Sequence, residues 1–133
     1  MKQFTSKPLI VRYGETDQMG VVHHSNYLRY FEVARLEWLS ALGVSYTSME
    51  KEGLIMPVID VKVTYKTPAL FDDSLTIYIF LSELPRVKII FSYEIKNQKD
   101  EIVCTGETTL AFLNAKTRKP VRCPEEFGAL FST

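Results

Sequence analysis

Between Asn26 and Leu42 the chain reads NYLRYFEVARLEWLSAL, a run with no glycine or proline. At 100° per residue, Tyr27, Leu28, Tyr30, Phe31, Ala34, Trp38, Ala41 and Leu42 gather on one wide face. Arg29, Glu32, Glu37 and Ser40 lie mostly opposite. Ser25 or Asn26 is placed to cap the start, and Gly43 to stop the end. Such a helix runs roughly 25 Å. Its stripe carries Trp, Phe and Tyr, so it needs a broad apolar surface to lie on, and a sheet supplies one. Arg35 falls at the edge of the stripe, where a long side chain snorkels or pairs with Glu32.

The rest of the chain reads mainly as strands. Leu9–Tyr13 (LIVRY) is short, β-branched and apolar. Ser45 to Glu52 is a second, short helix capped by Ser45 or Thr47. Ile59, Val61, Val63 and Tyr65 alternate with polar residues, the pattern of a half-buried strand ended by Pro68. Leu75–Leu81 is apolar on both faces, as a central or interface strand requires. Val87–Ile95 follows, then a turn at 97–100, then Ile102–Leu113, whose Gly106 is placed to mark a bulge. Pro124 to Phe127 opens a last helical turn. Strand, long helix, then strands in hairpin succession is an α+β order, with an antiparallel sheet packed on one helix. At 133 residues, with no repeat or linker, a single domain over 1–133 is expected.

The bulk properties narrow the partners. Formal net charge is zero, which favours neither nucleic acid nor an anionic membrane. The N-terminal MKQFTSKPLIVRY has no apolar run of signal-peptide length, and no later stretch is long enough to span a bilayer. The two cysteines, Cys104 and Cys123, have no metal-site or redox spacing and read as reduced thiols. A cytoplasmic protein is expected.

The polar loop Tyr13 to His24 precedes the long helix and holds Asp17, Gly20, His23 and His24. The first turn of a helix has N–H groups without intrahelical partners and carries partial positive charge. Such an end can receive negative charge developing on an oxygen. A carboxylate is ionised at neutral pH, so Asp17 can attack a carbonyl or deprotonate water while the helix start holds the oxyanion. The alternative for Asp17 is an Asx-turn that satisfies local N–H groups. Neighbouring histidines lack the i, i+4 spacing that aims two ligands at one ion, so no metal is expected.

The run T-D-x-M-G-V-V-x-H-S-N-Y (Thr16 to Tyr27), followed by YFEVARLEWL, resembles the 4-hydroxybenzoyl-CoA thioesterase family of hotdog-fold enzymes. It is most similar to the Tol–Pal-associated acyl-CoA thioesterase branch. The motif covers about fifteen residues, and the element order extends the resemblance over nearly the whole chain. The resemblance implies a sheet wrapped around the central helix, subunits paired as a homotetramer (dimer of dimers), and active sites at subunit boundaries. It implies hydrolysis of an acyl-CoA thioester without a cofactor. Asp17 falls on the catalytic aspartate, nucleophile or general base, and His24 on the helix-start N–H that polarises the thioester carbonyl. Gly20, Val22, His23, Asn26 and Tyr27 fall on substrate-binding positions. His23 stands where many members carry Tyr, a departure that bears on acyl preference. The His24 side chain is also placed to protonate the leaving thiolate.

Lys66, Arg86, Lys88 and Arg118 are candidates to meet the CoA phosphates, and Tyr13, Met19, Met56, Val58 and Ile59 to line the acyl pocket. There is no P-loop or GxGxxG. Two other readings remain: a thioesterase acting on acyl carrier protein thioesters, and a non-catalytic acyl-thioester-binding or scaffold protein.

Overall fold

The computed structural model describes residues 2–132. Helix α1 (Ser25–Ala41) lies across an antiparallel sheet whose strands are ordered β1-β5-β6-β7-β4. These are β1 (Gln3–Thr5), β4 (Val58–Tyr65), β5 (Ser74–Phe80), β6 (Lys88–Lys96) and β7 (Ile102–Ala111). The short β2 (Leu9–Ile10) pairs with the start of β5, and β3 (Leu54–Ile55) pairs with β8 (Leu113–Asn114) in a separate ribbon. Helix α2 (Tyr46–Lys51) follows α1, and α3 (Glu125–Ala129) closes the described chain.

The sheet turns Leu75, Ile77 and Ile79 of β5 and Ile89, Phe91, Tyr93 and Ile95 of β6 toward α1, all fully buried or nearly so. Phe31 stacks on Tyr93 with ring centroids 4.1 Å apart. Trp38 packs edge-on against Phe91 and Phe131, and Phe127 joins Phe131 and Phe112 to seal the end of the core. Offset and edge-on aromatic contacts of this kind add to the burial of large ring areas. The sheet's other face carries Ser92, Glu94, Lys96, Thr105 and Glu107, which accounts for the alternation along β6 and β7.

The helix ends as expected at Gly43, which takes φ +84°. The Gly43 and Val44 N–H groups return to the carbonyls of Ser40 and Leu39, a Schellman stop. Its start differs from the expectation. His24 occupies the cap position, and neither Ser25 nor Asn26 caps the helix. The buried stripe also shifts. Leu28 and Ala41 are exposed, while Leu39 and Arg35 are buried. Arg35 is only 5% exposed and donates to the Tyr93 hydroxyl at 3.1 Å, which in turn meets Thr108 Oγ1 at 2.6 Å. The Glu32 contact is long, at 4.0 Å. An inward hydroxyl pair on β6 and β7 gives the guanidinium a partner that no helix pattern reveals.

Three strand expectations are corrected. Leu9–Tyr13 shortens to Leu9–Ile10, because Glu15 folds back onto the Arg12 N–H and winds Tyr13–Glu15 into a 3-10 turn. β1 was not foreseen. Its QFT sequence is short and mostly polar, and pairing with β5 makes it a strand. Gly106 marks no bulge, since it stays in register with Val63 and Tyr93. A Cβ there would come within 2.5 Å of the Phe31 ring, so the glycine is a packing requirement of the helix. β4 is exposed over most of its length and is an open edge, rather than half-buried within this chain.

Candidate active site

The loop between the 3-10 turn and α1 is a small two-stranded pair. The His23 N–H donates to the Glu15 carbonyl at 2.9 Å, Thr16 bridges Val22, and the Asp17 N–H donates to the Val21 carbonyl at 2.8 Å. Gly20 makes the turn at its tip with φ +79°, a conformation that favours glycine, and donates to the Asp17 carbonyl. The pair is anchored to the sheet where Val22 N–H donates to Ala69 and Val21 bridges Leu70.

Asp17 does make the Asx-turn that local chemistry allows. Its Oδ1 accepts the Met19 N–H at 2.8 Å. Among the described residues no hydrogen bond engages Oδ2, and the residue is half exposed. One oxygen therefore fixes the carboxylate while the other stays open to a reactant.

The helix start is equally selective about its donors. The His23 N–H is taken by Glu15, the Ser25 N–H by His23 Nδ1 at 3.3 Å, and the Asn26 and Tyr27 N–H groups by the carbonyls of His23 and His24. Among the described residues the His24 N–H has no partner. His23 and His24 are exposed, their rings 4.2 Å apart, and His23 Nδ1 also meets Ser25 Oγ at 2.8 Å. A backbone N–H on an exposed residue at the positive end of a 17-residue helix can hold an oxyanion.

The foreseen residues divide into two groups. Asp17, Gly20, His23 and His24 stand together on the exposed loop and helix start. Val22, Asn26 and Tyr27 are buried beneath it. Asn26 donates to the Glu15 carbonyl at 3.0 Å. Tyr27 packs between Tyr30 and Tyr65, and burial raises its phenol above the usual range. Two residues that sequence reasoning missed, Glu15 and Tyr30, join the loop to the helix at 3.0 Å. The signal was present in the spacing. Tyr30 follows Asn26 by four residues, so both face the same way, and Glu15 is two residues before Asp17.

The candidate phosphate contacts separate as well. Lys66 follows β4 at the Tyr65 end, and Arg118 sits in the turn after β8 with φ +63°. Arg86 and Lys88 lie at the opposite end of the sheet and line a groove of about 400 Å³ together with Arg122. The Cys123 N–H donates to the Arg86 carbonyl at 2.6 Å and brings the two segments side by side. No ion pair among the described residues engages these three cations.

Residues 11–131 match the model of the thioesterase-like superfamily. The putative acyl-CoA thioesterase YneP of Bacillus subtilis is 32% identical over 92% of this chain and 89% of its own. The acyl-CoA thioesterase YbgC of Haemophilus influenzae is 32% identical over 95% of this chain and 93% of its own. The DHNA-CoA thioesterase structure from Staphylococcus aureus superposes with a TM-score of 0.86 at 40% identity, covering 92% of this chain and 81% of that one. The sheet wrapped on one long helix, the loop motif and these matches agree: the chain belongs to the thioesterase-like superfamily of hotdog-fold proteins.

Proposed function

We propose that the protein is an acyl-CoA thioesterase that hydrolyses its substrate to a free acid and CoA. The observation that carries the site is that Asp17 Oδ2 and the His24 N–H, at the two ends of one short loop, both lack a partner among the described residues. Asp17 takes a proton from water, and the hydroxide attacks the thioester carbonyl. The oxyanion that forms accepts from His24 N–H. Collapse breaks the C–S bond, and the departing thiolate takes up the proton. In the covalent variant Asp17 itself attacks, giving an anhydride that water then opens. An oxyanion donor of this kind is worth about 10²–10³-fold in turnover.

His23 and the exposed Tyr13, Met19, Leu70 and Phe71 surround the loop and supply apolar surface for the acyl group. The groove of Arg86, Lys88 and Arg122 takes the CoA phosphates. It lies at the far end of the sheet from Asp17 of the same chain, so one substrate reaches both only across a subunit boundary. The open β4 edge supports such a boundary. Ile59 is 60% and Tyr65 53% exposed there beside unpaired backbone, a surface that pairs readily with a second copy. We therefore assign a homo-oligomer, a dimer of dimers, of single-domain subunits. A monomeric sedimentation profile at micromolar concentration would remove that assignment. No described helix is long and apolar enough to cross a membrane, and both cysteines are free, in keeping with a cytoplasmic enzyme.

The test is thiol release from a panel of aromatic and aliphatic acyl-CoAs by wild type and Asp17→Asn. Wild type turns over part of the panel, and the variant loses about two to three orders of magnitude in kcat while keeping its fold. An Asp17→Asn protein as active as wild type refutes the site. Saturable acyl-CoA binding without any turnover would move the reading to a binding protein, and activity confined to carrier-protein thioesters would change the carrier. Single turnover in labelled water separates the two chemistries, since label in the Asp17 carboxylate requires the covalent route.

A further inference from the structure

Glu15 takes no part in the reaction above, yet it holds the loop in four places. Its Oε1 accepts the Arg12 N–H at 2.8 Å and the Tyr30 hydroxyl at 3.0 Å. Its main-chain carbonyl accepts the His23 N–H at 2.9 Å and Asn26 Nδ2 at 3.0 Å. The side chain is only 15% exposed, unusual for a carboxylate in a surface loop. The Arg12 guanidinium explains little of this, being 82% exposed and 3.4 Å away, a contact of the kind that contributes little in water. Asn26 and Tyr30 are both buried and stand one turn apart on α1. Through these two residues the start of the helix grips the loop. Burial, followed by the Glu15 carboxylate, raises the Tyr30 phenol, so it stays a donor at any working pH.

These bonds decide which helix-start donor is free. Glu15 consumes the His23 N–H, His23 in turn occupies the Ser25 N–H, and among the described residues the His24 N–H is left without a partner. The same bonds set the register of the pair Glu15–His23, Thr16–Val22 and Asp17–Val21. A slip of one residue would turn Asp17 to the opposite face.

We propose that Glu15, acting through Tyr30, is a positioning residue that locks this register and thereby presents both Asp17 and the His24 N–H to the substrate. The proposal rests on the reading of those two groups as the reacting pair. It differs from a role as a second acid or base in one respect. Both strong contacts of the side chain converge on one oxygen, Oε1, which a neutral amide also provides. Charge is dispensable and the acceptor is not.

Four proteins test this: wild type, Glu15→Gln, Glu15→Ala and Tyr30→Phe. Expected is a fall in kcat of about tenfold or more for Glu15→Ala and Tyr30→Phe with KM within about twofold, and near wild-type kcat for Glu15→Gln. Hydrogen exchange of the His23 amide gives a second readout that needs no turnover. It stays slow in wild type and Glu15→Gln and speeds up by about tenfold or more in Glu15→Ala. A glutamine variant as impaired as the alanine variant overturns the proposal, because the charge then matters. So does an alanine variant with wild-type kcat and a still-protected His23 amide, or a rise in KM with kcat unchanged. A wild type inactive on every acyl-CoA would sink the assigned reaction, while the exchange result would still decide for or against the lock.

Discussion

Gly106→Ala is a one-carbon change with a consequence that can be worked from the packing. Gly106 sits in the middle of β7, in register with Val63 on β4 and Tyr93 on β6. A Cβ at this position meets Phe31 Cζ at 2.5 Å, Cε2 at 2.6 Å and the Lys62 carbonyl at 3.0 Å. The ring is fully buried and stacked on Tyr93 at 4.1 Å with an interplanar angle of 12°, so it has no free direction in which to yield. Overpacking a core by one carbon costs about 1–3 kcal/mol, and a contact this short on an immobile ring belongs at the upper end. Two effects oppose it. Alanine restricts the unfolded chain more than glycine does, and it suits a strand interior better, together worth about 0.5–1 kcal/mol. The net is a destabilisation of about 2 kcal/mol, which for a chain of this size lowers Tm by about 6–10 °C. Thermal melts followed by circular dichroism measure it. Phe31→Leu in the Gly106→Ala background should recover part of the loss relative to the sum of the single changes, a coupling of about 1 kcal/mol. A Gly106→Ala protein melting within about 1 °C of wild type would refute the close approach of helix and sheet. Because Phe31 lies one turn beyond Tyr27 on the same helix face, the variant should also lower turnover by disturbing the helix start.

Two further outcomes follow from the same chemistry. Burial pushes the Cys104 thiol from 9.0 up to about 12 and the Cys123 thiol up to about 11, and burial also raises Tyr27, Tyr93 and Tyr30. The folded chain then keeps protons that the unfolded chain releases, so this contribution is fully present below the unfolded thiol value of 9.0 and is lost as pH rises from there toward about 12. Melts should show Tm steady just below that value and falling above it, and an increase in Tm over the alkaline range would reverse the assigned direction. Replacing Arg86 and Arg122 together by Ala should raise KM for an acyl-CoA by about tenfold and leave KM for the matching acyl-pantetheine thioester, which has no phosphates, within about twofold. Equal effects on both substrates would show that the groove does not read phosphate.

Much of the candidate site is local and was open to reading along the chain. The helix follows from apolar spacing between Asn26 and Leu42, and its end from Gly43, because both depend on residues within a turn or two of each other. The Asp17 loop and its helix start are contiguous, so the family motif, the carboxylate and the N–H donor are all carried by the stretch Thr16 to Tyr27. The apolar runs likewise marked β5, β6 and β7 as strands, and the structure buries alternate residues along β5 and β6.

What depended on partners distant in the sequence emerged only in three dimensions. β1 is a strand because β5 is beside it, more than seventy positions along. Arg35 is buried because Tyr93 and Thr108 come from strands that meet its helix, and a guanidinium enters a core only where such acceptors are waiting. Gly106 reads as a bulge residue until Phe31 is placed over it. Arg122 comes beside Arg86 because the neighbouring Cys123 N–H, in a segment without regular structure, donates to the Arg86 carbonyl. Periodicity tells each residue which face it occupies within its own element. Which face meets which, and therefore which donor at the start of α1 is left free, is decided by tertiary packing, where the cost of an unpaired polar group or an overfilled contact is set.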